Sequence, residues 1–135
     1  MNRGSPIVTV STEEAATSNF KHHTDLMRRY CLALDLKNDP KLIREYEAHH
    51  RAVWPEIVES IHSSGIESME IYRVQNRLFM IMEVNDQFSF EVKGKADAAN
   101  EKVQEWEQLM WKYQEAMPGA KPGEKWMLME KIFQL

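Results

Sequence analysis

The chain has 135 residues, of which 43% are apolar and 28% charged, and a formal net charge of −4. This length fits one domain with a modest core. The acidic balance offers no basic field to a nucleic acid or an anionic membrane. Cys31 is the single cysteine, which excludes an intrachain disulfide and a cysteine-built metal site. It fits a reducing compartment, with the cytoplasm as the expected location.

Residues 1–26 are rich in Ser, Thr, Glu and Asn and show no apolar period. They read as a flexible N-terminal extension, with an edge strand over Ile7–Val10 as the alternative. That apolar run is too short for a signal-peptide core, and no run approaches the roughly 20 residues of a membrane span. The folded domain is expected over 27–135.

From Arg28 to Leu36 the residues Tyr30, Leu32, Leu34 and Leu36 alternate with more polar ones, which predicts a strand. Asn38-Asp39-Pro40 has the chemistry of a helix start. The spacing of Leu42, Ile43, Tyr46, Val53, Trp54, Ile57, Val58 and Ile61 predicts one helix to about Ser63, kinked at Pro55 and ended by Gly65. Two strands, Ile66–Val74 and Arg77–Val84, are expected around a tight turn at Gln75-Asn76. A short helix over Gln87–Ala98 follows, capped at Asn85-Asp86, then a longer helix over Asn100–Met117. Pro118-Gly119 and Pro122-Gly123 mark a loop, and Trp126–Phe133 reads as a last strand.

The order is that of a split βαβ, ferredoxin-like α+β fold. Phe79 and Ile81 point to one face of their strand and Leu78, Met80, Met82 and Val84 to the other, so both faces of the sheet are apolar. Helices on one side leave the other face to be covered. The simplest cover is a second copy, so a homodimer with sheets face to face is expected.

Chemistry concentrates in the run Tyr46–Trp54. His50 occupies a position where the helical stripe calls for an apolar residue, and Tyr46 lies four residues earlier on the same face. A half-buried His beside a phenol is suited to proton transfer near neutral pH; a core His satisfied by a backbone carbonyl has the same pattern. His49 falls off the stripe and is expected in solvent. Adjacent helical side chains diverge by about 100°, so His49 and His50 make a poor metal pair and no metal is expected. No carboxylate pair, phosphate loop or nucleophile motif is present.

The run Tyr46-x3-His50-x3-Trp54-Pro55-Glu56 resembles the signature of the L-rhamnose mutarotase family. Ile71-Tyr72, Arg77-Leu78-Phe79 and Trp111-Lys112-Tyr113 with Met117-Pro118 resemble it too. The likeness covers about Arg28 to Leu135. It implies a dimeric α+β barrel of βαββαβ order, an isomerase without cofactor, and a free deoxyhexose as substrate, L-rhamnose or L-fucose. It implies that His50 is the proton donor and that Tyr46, Tyr72 and Trp111 bind the sugar. Rhamnose enzymes of the family carry two adjacent tryptophans where this chain has Met110 and Trp111, so the resemblance also makes Met110 a position of sugar choice. Two rival readings use the same barrel: a monooxygenase or haem-degrading enzyme, and a non-catalytic ligand-binding module.

Overall fold

The computed structural model describes residues 27–135; the expected extension over 1–26 and its alternative strand lie outside the described residues. The elements are β1 (Arg28–Leu36), α1 (Pro40–His50), α2 (Pro55–Ser63), β2 (Ile66–Val74), β3 (Arg77–Val84), α3 (Phe90–Ala98), α4 (Glu101–Trp111), β4 (Gln114–Glu115) and β5 (Met127–Leu128). The strands form one antiparallel sheet in the order β2-β3-β1-β4, with β5 also pairing β1. The short strands β4 and β5 thus share the place of a ferredoxin-like fourth strand. The expected long last strand is instead two residues, because the loop over 116–126, with its two Pro-Gly pairs, splits this edge.

The register explains the two faces. Tyr30, Leu32 and Leu34 stand opposite Met82, Met80 and Leu78, and all six are buried under the helices. On the other face Cys31 pairs Ile81 and Ala33 pairs Phe79. Ion pairs close the two ends of that apolar strip: Arg29–Glu83 at 3.2 Å and Arg77–Asp35 at 2.7 Å.

The predicted single helix is two helices. Trp54 precedes a proline and takes an extended ψ of 138°, as the clash with the proline ring requires. The helix therefore stops at His50 and restarts at Pro55 rather than kinking. Asp39 caps α1, its Oδ1 accepting from the amides of Lys41 and Leu42 at 2.9 and 3.3 Å. Ser89, not Asn85 or Asp86, caps α3 by accepting from the Val92 amide; Asn85 instead accepts from the Gln87 amide in the loop before it. Asn100 caps α4, which ends at Trp111. The hairpin turn forms at Gln75-Asn76, with Gln75 at φ 54°.

Gly65 ends α2 at φ 102°, in the left-handed region. A Cβ there would lie 2.7 Å from Asn85 Oδ1 and 3.1 Å from the Phe88 backbone nitrogen. The packed core over α1, α2 and α4 gathers Leu36, Tyr46, Ile57, Leu78, Trp106 and Met110. The Glu47 carboxylate accepts from Arg73 Nε at 2.6 Å, tying α1 to β2.

Candidate active site

The last turn of α1 carries Tyr46, His49 and His50 against α4. Tyr46 is buried, held in the core by Leu36, Leu78 and Met110. One turn later the His50 ring lies 4.3 Å from the Tyr46 ring, tilted by 37°. Trp106 from α4 meets His50 at 5.6 Å and Trp54 at 5.1 Å, both edge to face. The helix break after His50 brings Trp54 back onto Trp106, so one indole touches the residues on both sides of the break.

His50 Nδ1 lies 3.0 Å from the Tyr46 carbonyl oxygen. The carbonyl can only accept, so Nδ1 carries the proton. In the neutral ring this leaves Nε2 with its lone pair, and among the described residues no group bonds to it. Burial lowers the His50 pKa below the usual 6.5; the carbonyl bond opposes this and nearby His49 adds to it. The resting form near pH 7 is therefore neutral imidazole with a free Nε2. The two readings of His50 meet here: the backbone carbonyl satisfies one nitrogen and leaves the other for chemistry.

Tyr46 is the opposite case. Burial pushes its phenol up to about 12, and a bond from Gln114 offsets part of that rise. It stays protonated across the physiological range. The Gln114 amide, on β4, donates to the Tyr46 hydroxyl at 3.5 Å.

Four residues join the site that sequence reasoning did not place there. His49, expected in solvent, is half-buried: its Nε2 lies 3.2 Å from the Tyr113 hydroxyl and its ring faces Trp106. Both histidines reach α4 because α1 ends there and Trp106 is wide enough to meet two neighbouring side chains. Tyr113 also contacts Tyr46 edge to face at 6.2 Å. Trp106 is both core and the wall behind His50. Gln114 had no sequence signal, since it falls within the helix expected over Asn100–Met117, where a glutamine reads as solvated.

The other sequence-nominated residues are placed less uniformly. Met110 is buried in the same cluster as Tyr46. Trp111 is turned away from that cluster and half-buried, with Lys125 Nζ 5.0 Å above its ring. Tyr72 stands opposite Phe79 on the outer face of the sheet, 54% exposed, and donates to Glu70 at 3.1 Å. The sheet therefore separates Tyr72 from His50 of the same chain. The resemblance gives Tyr72 a sugar-binding role; β2 alternates strictly beyond its bulge near Ile66–Ser68, and that puts position 72 on the outer face. A depression of about 300 Å³ on the α3–α4 surface, bordered by Ala99, Gln104 and Gln108, holds none of the clustered residues.

Comparison with known proteins agrees with this arrangement. Residues 29–135 match the family model for L-rhamnose mutarotase. An L-fucose mutarotase of Xanthomonas campestris is 45% identical over 111 residues, covering 81% of this chain and 89% of that one. An L-rhamnose mutarotase of Phocaeicola vulgatus is 31% identical over 98 residues, covering 71% and 88%. The crystal structure of an L-rhamnose mutarotase from Formosa agariphila superposes with a TM-score of 0.60 at 21% identity, covering 80% of this chain and 98% of the other, and so shares its fold. Neither the monooxygenase nor the binding-module reading finds support among these relatives. The Tyr46–His50 turn, its α+β frame and the match over nearly all the described chain lead to one assignment: the chain belongs to the L-rhamnose mutarotase family of carbohydrate isomerases.

Proposed function

We propose that the chain interconverts the α and β anomers of free L-fucose, with His50 moving the proton. The observation that carries this reading is the bond from His50 Nδ1 to the Tyr46 carbonyl, which leaves Nε2 as a neutral base on a ring packed beside Trp106. The choice of L-fucose over L-rhamnose rests on the 45% identity to an L-fucose mutarotase and on Met110 standing beside Trp111.

Mutarotation breaks the bond from the anomeric carbon to the ring oxygen and remakes it on the other carbonyl face. His50 Nε2 takes the anomeric hydroxyl proton as the ring opens and the carbonyl forms. The departing ring oxygen takes a proton from a bound water. The open chain turns about one bond. The same groups then run in reverse: the freed hydroxyl attacks, returns its proton to the second carrier, and the imidazolium protonates the carbonyl oxygen. No proton or electron is gained overall. The resemblance casts His50 as the acid; with a depressed pKa it starts as the base and becomes the acid for closure. Such a group contributes about 10²–10⁴-fold.

Trp106 and Trp54 offer apolar edges to the C–H faces of a sugar. Trp111, the last residue of α4, with Lys125 over its ring, is a second candidate stacking surface. The proposal includes a homodimer built on the outer sheet face and a cytoplasmic location, supported by the apolar strip Cys31, Ala33, Phe79 and Ile81 and by the single cysteine. Tyr72 then belongs to the dimer face. Saturation-transfer NMR on equilibrated L-fucose and L-rhamnose tests the activity. Faster anomer exchange with catalytic protein is expected, larger for L-fucose; no acceleration of either sugar refutes the reading.

A further inference from the structure

Gln114 is 4% exposed, and its Oε1 is buried with no hydrogen-bond partner among the described residues. Its only polar contact is the long one, 3.5 Å, to the Tyr46 hydroxyl. Rotating the amide about its last bond exchanges the two ends but leaves one of them orphaned. A buried orphan is costly, and a same-length apolar residue would fill this site without it. The register fixes the direction: Gln114 pairs Leu36, whose side chain faces the helices, so the amide points in toward Tyr46.

The geometry points to a ligand hydroxyl as the missing partner. Gln114 Nε2 lies 3.5 Å from the Tyr46 hydroxyl and Oε1 is bonded to the same amide carbon, so one ligand oxygen about 2.8 Å from each can bridge Oε1 and that hydroxyl. That oxygen would donate to Gln114 Oε1 and accept from the Tyr46 O–H, satisfying all three groups. A sugar hydroxyl has one donor and two lone pairs, which is this demand. L-Fucose and L-rhamnose differ only in the configuration at C2 and C4, so a pair that reads the C2 or C4 hydroxyl discriminates between them. We propose that Gln114, with Tyr46, reads one ring hydroxyl of the substrate and is a specificity-determining residue. This rests on the mutarotase reading above.

The test is Gln114→Met, which keeps length and removes the amide. Anomer exchange is measured for wild type and variant on L-fucose and on its three ring-monodeoxy analogues, lacking the C2, C3 or C4 hydroxyl. The variant removes the orphaned Oε1 but takes the Gln114 partner from the buried Tyr46 hydroxyl, so its melting temperature is expected close to that of the wild type. Its kcat/KM for L-fucose falls about tenfold or more, mainly through KM. One monodeoxy sugar should suffer a similar loss with wild type and no further loss with the variant. A variant with wild-type KM, or an equal loss on all four sugars, overturns the proposal and leaves Gln114 as a packing residue or a water site. Should Gln114→Met fail to fold, Gln114→Leu takes its place, and a wild type indifferent to every missing hydroxyl overturns the proposal without any variant. Absence of exchange by wild type on every sugar instead sinks the mutarotase reading and this proposal with it.

Discussion

His50 Nδ1 sits 3.0 Å from the carbonyl oxygen of Tyr46, one helical turn back, so the backbone of the residue beside it sets the tautomer of the imidazole. Many histidines are held this way by a second carboxylate or carbonyl; here the holder comes from the same helix and costs no separate element. Replacing His50 with Gln keeps a side-chain donor for that carbonyl but removes the titrating nitrogen. His50→Gln is expected to lose about 10²–10⁴-fold in anomer exchange while its melting temperature moves little. Retention of full activity would show that the proton travels elsewhere.

The same lowered pKa makes a prediction about pH. Burial holds the folded His50 below 6.5, so in acid the unfolded chain takes up the proton first. Stability is therefore greatest above about pH 6.5 and falls as pH drops toward the folded pKa of His50, below which this contribution is flat. Activity should follow the neutral imidazole: level from pH 7 to 8 and declining on the acid side with a midpoint below 6.5. His50→Gln should remove its share of the acid-side stability loss. An acid limb centred above 6.5 contradicts the burial argument.

Trp106 ties the site to the core. It contacts His49, His50 and Trp54 and is 8% exposed. Trp106→Ala should destabilise the chain by about 3–5 kcal/mol, read by denaturant unfolding, and Trp106→Phe by less. If the indole also orients His50, Trp106→Phe should lower kcat although the protein stays folded. A Phe variant with wild-type kcat would limit the indole to packing.

The sequence carried the frame well because the frame is periodic. Strict alternation in Tyr30–Leu36 and Leu78–Val84 fixed two central strands, and Tyr46 with His50 fell on one face by simple helical spacing. What it missed depends on non-periodic causes. Pro55 divides one apolar stripe into two helices, since the stripe runs on across a break that only the residue before proline reveals. His49 lies off the stripe, and its burial comes from the breadth of Trp106 on another helix. Tyr72 is nominated by likeness of motif alone, and strand parity puts it on the outer face of the sheet. Gln114 enters through a two-residue strand at a sheet edge, too short for any period to mark.

Gly65 tests the turn that launches β2. At φ 102° an alanine meets backbone strain, and its Cβ would press on Asn85 Oδ1 and the Phe88 backbone. Asn85 cannot easily yield, because that oxygen accepts from the Gln87 amide and its Nδ2 donates to Glu67 at 2.9 Å. Gly65→Ala should cost at least about 2 kcal/mol in chemical denaturation. A loss under half of that would mean the loop over 85–88 relaxes freely.

The outer sheet face bears on assembly. Its middle is apolar, with Cys31, Ala33, Phe79 and Ile81 side by side, while Tyr72 and Val74 add exposed apolar area at 54% and 68% exposure. Arg29–Glu83 and Arg77–Asp35 sit at the ends of the strip, so each charge has a partner before any second chain arrives. A strip with its end charges already paired can be buried by a copy of itself, with Glu70 opposite Ile81 held by the Tyr72 hydroxyl, and the two-fold operation that lays one sheet on another repeats the same contacts twice. The chain is therefore expected to sediment as a dimer at micromolar concentration. Phe79→Arg puts a cation opposite Ala33 and Tyr72 in the middle of the strip and should yield a folded monomer with unchanged far-UV circular dichroism. His50 lies on the other side of the sheet, so the monomer should retain anomer exchange unless the dimer holds β1 and β3 in place. A wild-type chain that sediments as a monomer over the whole concentration range would leave this face without its proposed partner.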